Sequence, residues 1–256
     1  MATDFLHLET YGRVSRGPGK PKMNIDQVIE EATRDSHSAC RHVEAPLDPI
    51  ILFRGPCDLW DIPKFIDELV AIDEEQTGKK LRDNTQLIVG GVFSYPSPVD
   101  DLIADPVCFS NFEKWTLLNL KFLEDEYGDL MLGSLLHFDE RFPHGHYFVG
   151  PSIFNGKLSA IPHHPGILSN KTFVGQPGEK VKAYKKQMSM LQDRYYEAVG
   201  AKMGWDRKSA ERPRFNKATY EQFRAAQCGV EAQRKLIREE LQNLVPTSGS
   251  RPGLTF

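Results

Sequence analysis

Three histidines and two carboxylates lie within residues 137–146, which read HFDERFPHGH. Successive side chains of a strand point to opposite faces, so His144 and His146 would project together. If their strand pairs with the strand before it, His137 would lie beside them. Three imidazoles that converge on one point suit a first-row divalent metal ion, with coordination positions left for water or substrate oxygens. The segment therefore predicts a metal site, in preference to a hairpin with chance histidines.

Neighbouring residues extend this prediction. Glu140 can reach the same point as a further ligand, as a base, or as a group that orients a ligand. Gly145 would allow another backbone or DNA to approach closely. Asp139 points away from its neighbours if the chain is extended, so its role stays open. His163 and His164 lie in a Pro- and Gly-rich stretch and are interpreted as residues of a solvated loop.

The elements that must position these residues can be read from apolar periodicity. Residues 86–95 include a possible β-bulge at Gly90-Gly91, and Asn24 can cap a helix that begins at Ile25. Residues 157–177 are interpreted as loop. We predict strands over 5–14, 49–54, 86–95, 130–138 and 144–153, and helices over 25–34, 61–77, 109–127, 178–203 and 216–244.

These elements predict an α+β fold, with an antiparallel β-sheet of about five strands and helices packed on one of its faces. We expect residues 1–205 to form the catalytic domain. Residues 206–246 would form a basic helical extension, and residues 247–256 a disordered tail.

Charge is distributed unevenly along the chain. The net charge is −3 overall, but residues 141–256 carry 19 Lys and Arg against 9 Asp and Glu, a net charge of +10. A polyanion responds to local charge, so this third of the chain could hold a phosphate backbone. A solvated helical surface is the alternative interpretation.

Two classes of protein are disfavoured. The four cysteines are widely spaced and form no CxxC pair, which argues against a zinc ribbon. No apolar run approaches the roughly 20 residues of a membrane span, and the N-terminus has no signal-peptide pattern. We expect a cytoplasmic protein.

The segment HFDERFPHGH resembles the His-x-Asp-Glu-x-x-Pro-His-x-His motif of the MobV (Mob/Pre) plasmid mobilisation relaxases, in the HUH endonuclease superfamily. The similar region covers about residues 105–205. It includes the helix that ends at Tyr127-Gly128, the strand YFVGP after the motif, and the long helix that follows.

The resemblance implies an HUH-type relaxase fold and a definite chemistry. Relaxases nick one DNA strand at a transfer origin by transesterification, and a nucleophilic side chain stays covalently attached to the 5′ phosphate. By resemblance, His137, His144 and His146 bind one Mn²⁺ or Mg²⁺ ion and Glu140 assists. The implied partner is single-stranded DNA at a transfer origin, with other mobilisation proteins as further candidates.

The nucleophile is less well defined. Relaxases use a tyrosine or, in some MobV members, a histidine in a His-Asn-x-Arg motif that this chain lacks. On the first predicted strand, Tyr11 is our candidate nucleophile and Arg13 a candidate phosphate ligand. His7 shares a face with Tyr11 and is the alternative. Tyr11 can also be an ordinary strand aromatic, and His37 and His42 can be solvated helix-end residues.

Basic residues in the C-terminal third are candidate DNA contacts. A lysine cluster at the start of the long helix suits a phosphate backbone, and arginines after Trp205 could grip single-stranded DNA by charge and stacking. A solvated surface is an equal alternative for both groups. The candidates are Lys180, Lys182, Lys185, Lys186, Arg207, Arg212 and Arg214.

Three hypotheses follow. The first is a metal-dependent DNA relaxase that forms a covalent adduct. The second is a metal-dependent hydrolase or oxygenase of another class, which would bind metal and turn over a small substrate. The third is a non-catalytic DNA-binding module, favoured by the missing His-Asn-x-Arg motif.

Overall fold

The structure is a computed structural model that describes residues 5–15, 23–36, 40, 43 and 45–207. Seven strands and six α-helices lie in this part of the chain. The strands are β1 (Phe5–Gly12), β2 (Ile50–Arg54), β3 (Gln86–Ser94), β4 (Met131–His137), β5 (His144–Val149), β6 (Ser152–Phe154) and β7 (Lys157–Ser159). The helices are α1 (Ile25–Thr33), α2 (Ile62–Thr77), α3 (Val99–Ala104), α4 (Pro106–Tyr127), α5 (Pro165–Thr172) and α6 (Pro177–Tyr195).

Five strands form one antiparallel sheet in the order β1-β3-β5-β4-β2, and β6 pairs with β7 in a separate hairpin. The α+β prediction with an antiparallel sheet of about five strands is confirmed. The histidines lie on β5 and β4, two interior strands that follow each other in the sequence. Both strands are therefore held on both sides by hydrogen-bonded neighbours.

Helices cover both faces of the sheet, whereas the sequence led us to expect them on one. One face packs against α4 and α6, through buried residues such as Trp115 and Tyr195, with Phe93 and Tyr147 from the sheet. The opposite face packs against α1 and α2, with Ile88, Leu135 and Phe148 from the sheet. The expectation was wrong because the central strands are apolar on both faces, and both must be buried.

Helix α1 begins with a capping box. The Asn24 side chain accepts a hydrogen bond from the Gln27 backbone N–H, and the Gln27 side chain accepts one from the Asn24 backbone N–H. Two donors at the helix start are thereby satisfied. The buried face of α1, including Ile25, Val28 and Ile29, then lies against the sheet.

The β-bulge predicted at Gly90-Gly91 was wrong, because pairing runs without a break through both glycines on both sides of β3. A Cβ at Gly90 would lie 2.9 Å from the Tyr11 ring, and one at Gly91 would lie 2.2 Å from the Tyr147 ring. The glycines make room for two aromatic rings, one on each face of the sheet. A register shift instead lies between Tyr11 and Gly12 of β1.

The segment 157–177 is more ordered than predicted. It contains β7 and α5, and His164 caps α5 by accepting a hydrogen bond from the Ile167 backbone N–H. His164 is buried, so its interpretation as a solvated loop residue was wrong. Asn155 and Gly156 form the turn between β6 and β7, and both residues adopt positive φ.

None of the helices in the described part of the chain combines the length and apolar character needed to cross a membrane. The predicted extension over 206–246, except for its first two residues, and the predicted tail over 247–256 lie outside the described residues.

Candidate metal centre

Strands β4 and β5 bring the three histidines together at one end of the sheet. His137 is the last residue of β4 and pairs directly with His144, the first residue of β5. His146 lies two residues further along β5, on the same face as His144. One ring nitrogen from each of the three histidines lies within 4.8 Å of the others. This face is the one covered by α1.

Gly145, between two of the histidines, is required by packing within the protein. It pairs with Phe93 of β3, and a Cβ on Gly145 would lie 2.1 Å from the end of the Phe93 ring. The close approach expected at this glycine is therefore made by a core aromatic ring on the face opposite the histidines.

Backbone carbonyls fix the orientation of two imidazole rings. His137 Nε2 lies 2.7 Å from the carbonyl oxygen of Ala32 in the last turn of α1. His144 Nδ1 lies 3.1 Å from the carbonyl oxygen of Phe142. A carbonyl oxygen only accepts hydrogen bonds, so each of these nitrogens must be the N–H of its ring. In each neutral ring, the other nitrogen then carries a lone pair.

Those two other nitrogens, His137 Nδ1 and His144 Nε2, lie 3.2 Å apart. Two lone pairs repel at this distance unless a cation or a proton lies between them. Metal–imidazole bonds are about 2.0–2.1 Å long, so two nitrogens bound to one ion lie about 3 Å apart. A ring N–H donated to a carbonyl is also the usual arrangement of a metal-binding histidine. The donor set therefore fits a divalent metal ion.

A buried arginine holds the loop between the two strands. The side chain of Arg34, which follows α1, is 2% exposed and binds Asp139 through two hydrogen bonds of 2.9 and 3.0 Å. Its Nη2 also lies 3.2 Å from Glu140 Oε1. Burial acts to lower the pKa of Arg34, but the hydrogen bond and charge of Asp139 outweigh it and raise the pKa. Asp139 is thus an anchor for α1.

Glu140 lies at the accessible edge of the site. Its Oε1 is 3.7 Å from His144 Nε2, and its side chain is 33% exposed, against 12% for His144. His137 and His146 are buried. A substrate would therefore approach from the side of Glu140 and His144.

The two candidate nucleophiles on β1 lie on the same face of the sheet as the histidines, at different distances. His7 is in register with Val92, which is in register with His146. Two strand spacings correspond to roughly 10 Å between the His7 and His146 backbones. Tyr11 is four residues further along β1, a displacement of roughly 13 Å. Of these two, the register brings only His7 towards the metal centre.

Tyr11 is partly buried and packs against the core. Its ring lies against Gly90 and contacts the α1 and α2 core. Burial, together with the negative charges of Glu9 and Glu31, raises its pKa well above the ordinary value of a tyrosine. Arg13 lies just beyond the end of β1, and its carbonyl accepts a hydrogen bond from Asn24 Nδ2. The structure does not bring Tyr11 or Arg13 to the histidines.

The candidate DNA contacts lie elsewhere. Lys180, Lys182, Lys185 and Lys186 are exposed on the first half of α6. Arg207 lies 2.6 Å from Asp193 in an exposed ion pair. Residues from 208 onward lie outside the described part of the chain, as do Arg212, Arg214, His37 and His42.

Sequence reasoning missed two parts of the site, the Ala32 carbonyl and the Arg34 side chain. Both lie about 105 residues from their partners in the sequence. A carbonyl leaves no sequence signal. An arginine at the end of an amphipathic helix is usually solvated. The acidic residue Asp139 in the motif was the one sequence feature that could have indicated a cation partner.

No family model matches the chain. Curated relatives do: a type 1 plasmid recombination enzyme from Staphylococcus aureus is 36% identical over 140 residues, which is 54% of this chain and 28% of that protein. A type 3 plasmid recombination enzyme from Mammaliicoccus lentus is 31% identical over 162 residues, which is 62% of this chain and 33% of that protein. The matched region thus spans about a third or less of these relatives.

Among solved structures, the chain is similar to the MobM relaxase domain (MOBV; Mob_Pre) bound to a 26-nucleotide pMV158 oriT DNA. The TM-score is 0.44 and the identity 15%, over 85% of this chain and 98% of that one. A Mn-bound crystal structure of the same domain with a 23-nucleotide DNA gives a TM-score of 0.44 at 16% identity, over 86% of this chain and 98% of that one. The curated relatives show that the chain is similar to plasmid recombination enzymes.

Proposed function

We propose that this chain is a DNA relaxase that nicks one strand at a transfer origin in plasmid mobilisation. The observation that carries the proposal is the pair of facing nitrogens, His137 Nδ1 and His144 Nε2, with the opposite nitrogen of each ring held by a backbone carbonyl. A cation bound between the two lone pairs would stabilise such a pair. The identity to plasmid recombination enzymes supports DNA as the substrate.

His137, His144 and His146 would hold the metal ion. When bound, the ion polarises the scissile phosphate and offsets charge that develops in the transition state. Three nitrogen donors favour Mn²⁺ over Mg²⁺, because Mg²⁺ prefers oxygen ligands. Glu140, next to His144 at the accessible edge, would accept or return a proton near the reacting oxygen.

Of the two candidate nucleophiles, we favour His7. It is aligned with His146 across β3, and its side chain is exposed. An imidazole nitrogen of His7 would form a bond to phosphorus while the P–O3′ bond breaks. The 3′ oxygen leaves and takes up a proton, and the 5′ phosphate stays on the histidine. Tyr11 would need its ring to leave the core and its phenol to lose a proton despite a raised pKa. The lysines of α6 would contact the DNA backbone at a distance from the site of cleavage.

A covalent-capture experiment tests this function without knowledge of the origin. A randomised 40-nucleotide single-stranded DNA library, labelled on both ends, is incubated with the protein and Mn²⁺. We expect an adduct that survives SDS and carries only the 3′ label, because the protein keeps the 5′ phosphate. The adduct should be lost in His144→Ala and in His7→Ala, and kept in Tyr11→Phe.

Each alternative gives a different pattern. Loss of the adduct in Tyr11→Phe, but not in His7→Ala, would assign the nucleophile to Tyr11. Absence of an adduct from a wild-type protein that binds Mn²⁺ would contradict the relaxase proposal and favour a metal hydrolase of another class. DNA binding that survives in the absence of metal binding would favour a non-catalytic module.

A further inference from the structure

We propose, given the metal centre of the proposed function on which this inference rests, that Arg34 is a positioning residue. From the end of α1 it sets the metal affinity of the three-histidine site. Arg34 does not reach the facing nitrogens. It binds the two carboxylates that follow His137 in the loop between β4 and β5.

The first argument is the strength and shape of the contact. Arg34 makes two parallel hydrogen bonds to Asp139, whose side chain is fully buried. Arg34 Nη1 also donates to the Glu31 carbonyl oxygen at 3.1 Å, and Asp139 Oδ2 accepts a further bond from the Leu47 backbone N–H. A planar guanidinium fits a carboxylate in this two-bond arrangement, and a lysine ammonium does not.

The second argument is backbone geometry. Arg34 ends α1 with φ of 58°, in the left-handed region that non-glycine residues seldom occupy. Its backbone N–H reaches the carbonyls of Glu30 and Glu31. A conformation of this kind persists only where the surroundings hold it, and both the backbone hydrogen bonds of the helix end and the ion pair with Asp139 act on Arg34.

The third argument connects these contacts to the metal ligands. The carbonyl of Ala32, two residues before Arg34, holds His137 Nε2, and Asp139 lies two residues after His137. The Arg34–Asp139 pair and the Ala32–His137 bond are therefore neighbouring contacts that join the end of α1 to the end of β4 and the loop after it. In the same loop, Arg34 holds Glu140 beside His144. Without the guanidinium, the carbonyl would no longer be held at His137.

Partners that orient metal ligands typically change metal affinity 10–100-fold when mutated. The probe is Mn²⁺ alone, titrated calorimetrically into the full chain. We expect Arg34→Gln and Arg34→Lys each to weaken Mn²⁺ binding about 10–100-fold. The matched control is Arg54→Gln, which breaks an arginine–carboxylate pair with Asp58 on the exposed end of β2, and it should bind as the wild type does.

A second variant and a second readout separate positioning from folding. In Arg34→Met with Asp139→Leu, apolar side chains replace both members of the buried pair, so neither Arg34 nor Asp139 is left as an unpaired buried charge. This variant should fold and still bind Mn²⁺ about 10–100-fold more weakly. Long-range proton–nitrogen NMR reports which His137 nitrogen carries the proton. We expect Nε2–H alone in the wild type and a mixture of tautomers in Arg34→Lys.

The outcomes separate this inference from the function on which it rests. If Arg34→Lys and the double variant bind Mn²⁺ within twofold of the wild type, Arg34 has no positioning role and the metal centre stands. If the wild type binds no Mn²⁺, the metal centre and the role of Arg34 both fail.

Discussion

Gly145 illustrates how a single residue can be necessary to a site without belonging to it. In the sequence it lies between two candidate metal ligands, which suggested a close approach by DNA or backbone. In the fold, the Phe93 ring occupies the space that a side chain at 145 would need. Substitution would therefore act on the metal centre through core packing.

We predict that Gly145→Ala lowers the free energy of unfolding by about 1–3 kcal/mol, the usual cost of overpacking a core. The reason is that the new methyl group and the Phe93 ring must move apart. Urea unfolding without metal measures the change. Gly178→Ala is the matched control, because a Cβ there meets nothing within 4 Å and should leave stability unchanged or slightly higher. Equal stability of Gly145→Ala and wild type would contradict the packing at this position.

At the scale of elements, α1 connects a sequence signal to the site. Its start is fixed by the capping box of Asn24 and Gln27, and its last turn carries the Ala32 carbonyl and leads into Arg34. Anything that frays α1 from its start also loosens the cover of the histidine face.

Asn24→Ala should lower the free energy of unfolding by about 1 kcal/mol, because the first turn loses its side-chain acceptor. Asn24→Asp keeps an acceptor at the cap but loses the Nδ2 donor to the Arg13 carbonyl and to Asp26, so it should lose less stability than Asn24→Ala. Both are measured by urea unfolding. If Asn24→Asp lowered the free energy of unfolding as much as Asn24→Ala, the cap acceptor would not be the source of the stability.

Elements with strong periodicity were predictable from sequence. The strands of the sheet and α1, α2, α4 and α6 all follow from local apolar patterns. So does the convergence of the three histidines, because strand alternation and one hairpin suffice to bring them together.

What failed depends on contacts between distant segments. Whether Gly90 and Gly91 bulge or accommodate rings is decided by Tyr11 and Tyr147, which come from other strands. Arg34 is a ligand-orienting candidate only because α1 folds over β4.

At the scale of the molecule, the second half of α6 packs on the face of the sheet opposite the histidines, and the lysines are exposed on its first half. Leu191 and Tyr195 anchor α6 in the core on the α4 side of the sheet, whereas the histidines lie on the α1 side. The Gln192 side chain donates to the Leu6 carbonyl oxygen on the edge strand β1, and Lys182 is roughly 15 Å back along the helix. DNA bound at both places would pass around the β1 edge, which carries His7.

The lysines should therefore contribute to DNA affinity through their charge and take no part in the cleavage reaction. Lys182, Lys185 and Lys186 share one exposed face of α6, by their spacing of three and four residues. Changing all three to Gln should reduce the salt dependence of binding to a fluorescent 30-nucleotide oligo-dT, lowering the slope of log affinity against log salt by about 2. Mn²⁺ affinity should be unchanged.

Lys64, Lys79 and Lys80 provide a control with the same change of charge, because they are exposed on or just after α2. Their replacement by Gln should leave the slope nearly as in the wild type. Equal slopes for the two triple variants would contradict a DNA-binding face on α6.

The most direct test of the metal centre is thermal unfolding with and without Mn²⁺, for the wild type and for His144→Ala with His146→Ala. At about 100 times its dissociation constant, a bound ion should add about 2.7 kcal/mol, which raises Tm by on the order of 5–10 °C for a domain of this size. We expect that shift in the wild type and in the control His163→Gln, and no shift in the double variant. No shift in the wild type with Mn²⁺, Mg²⁺, Ni²⁺ or Zn²⁺ would contradict the account.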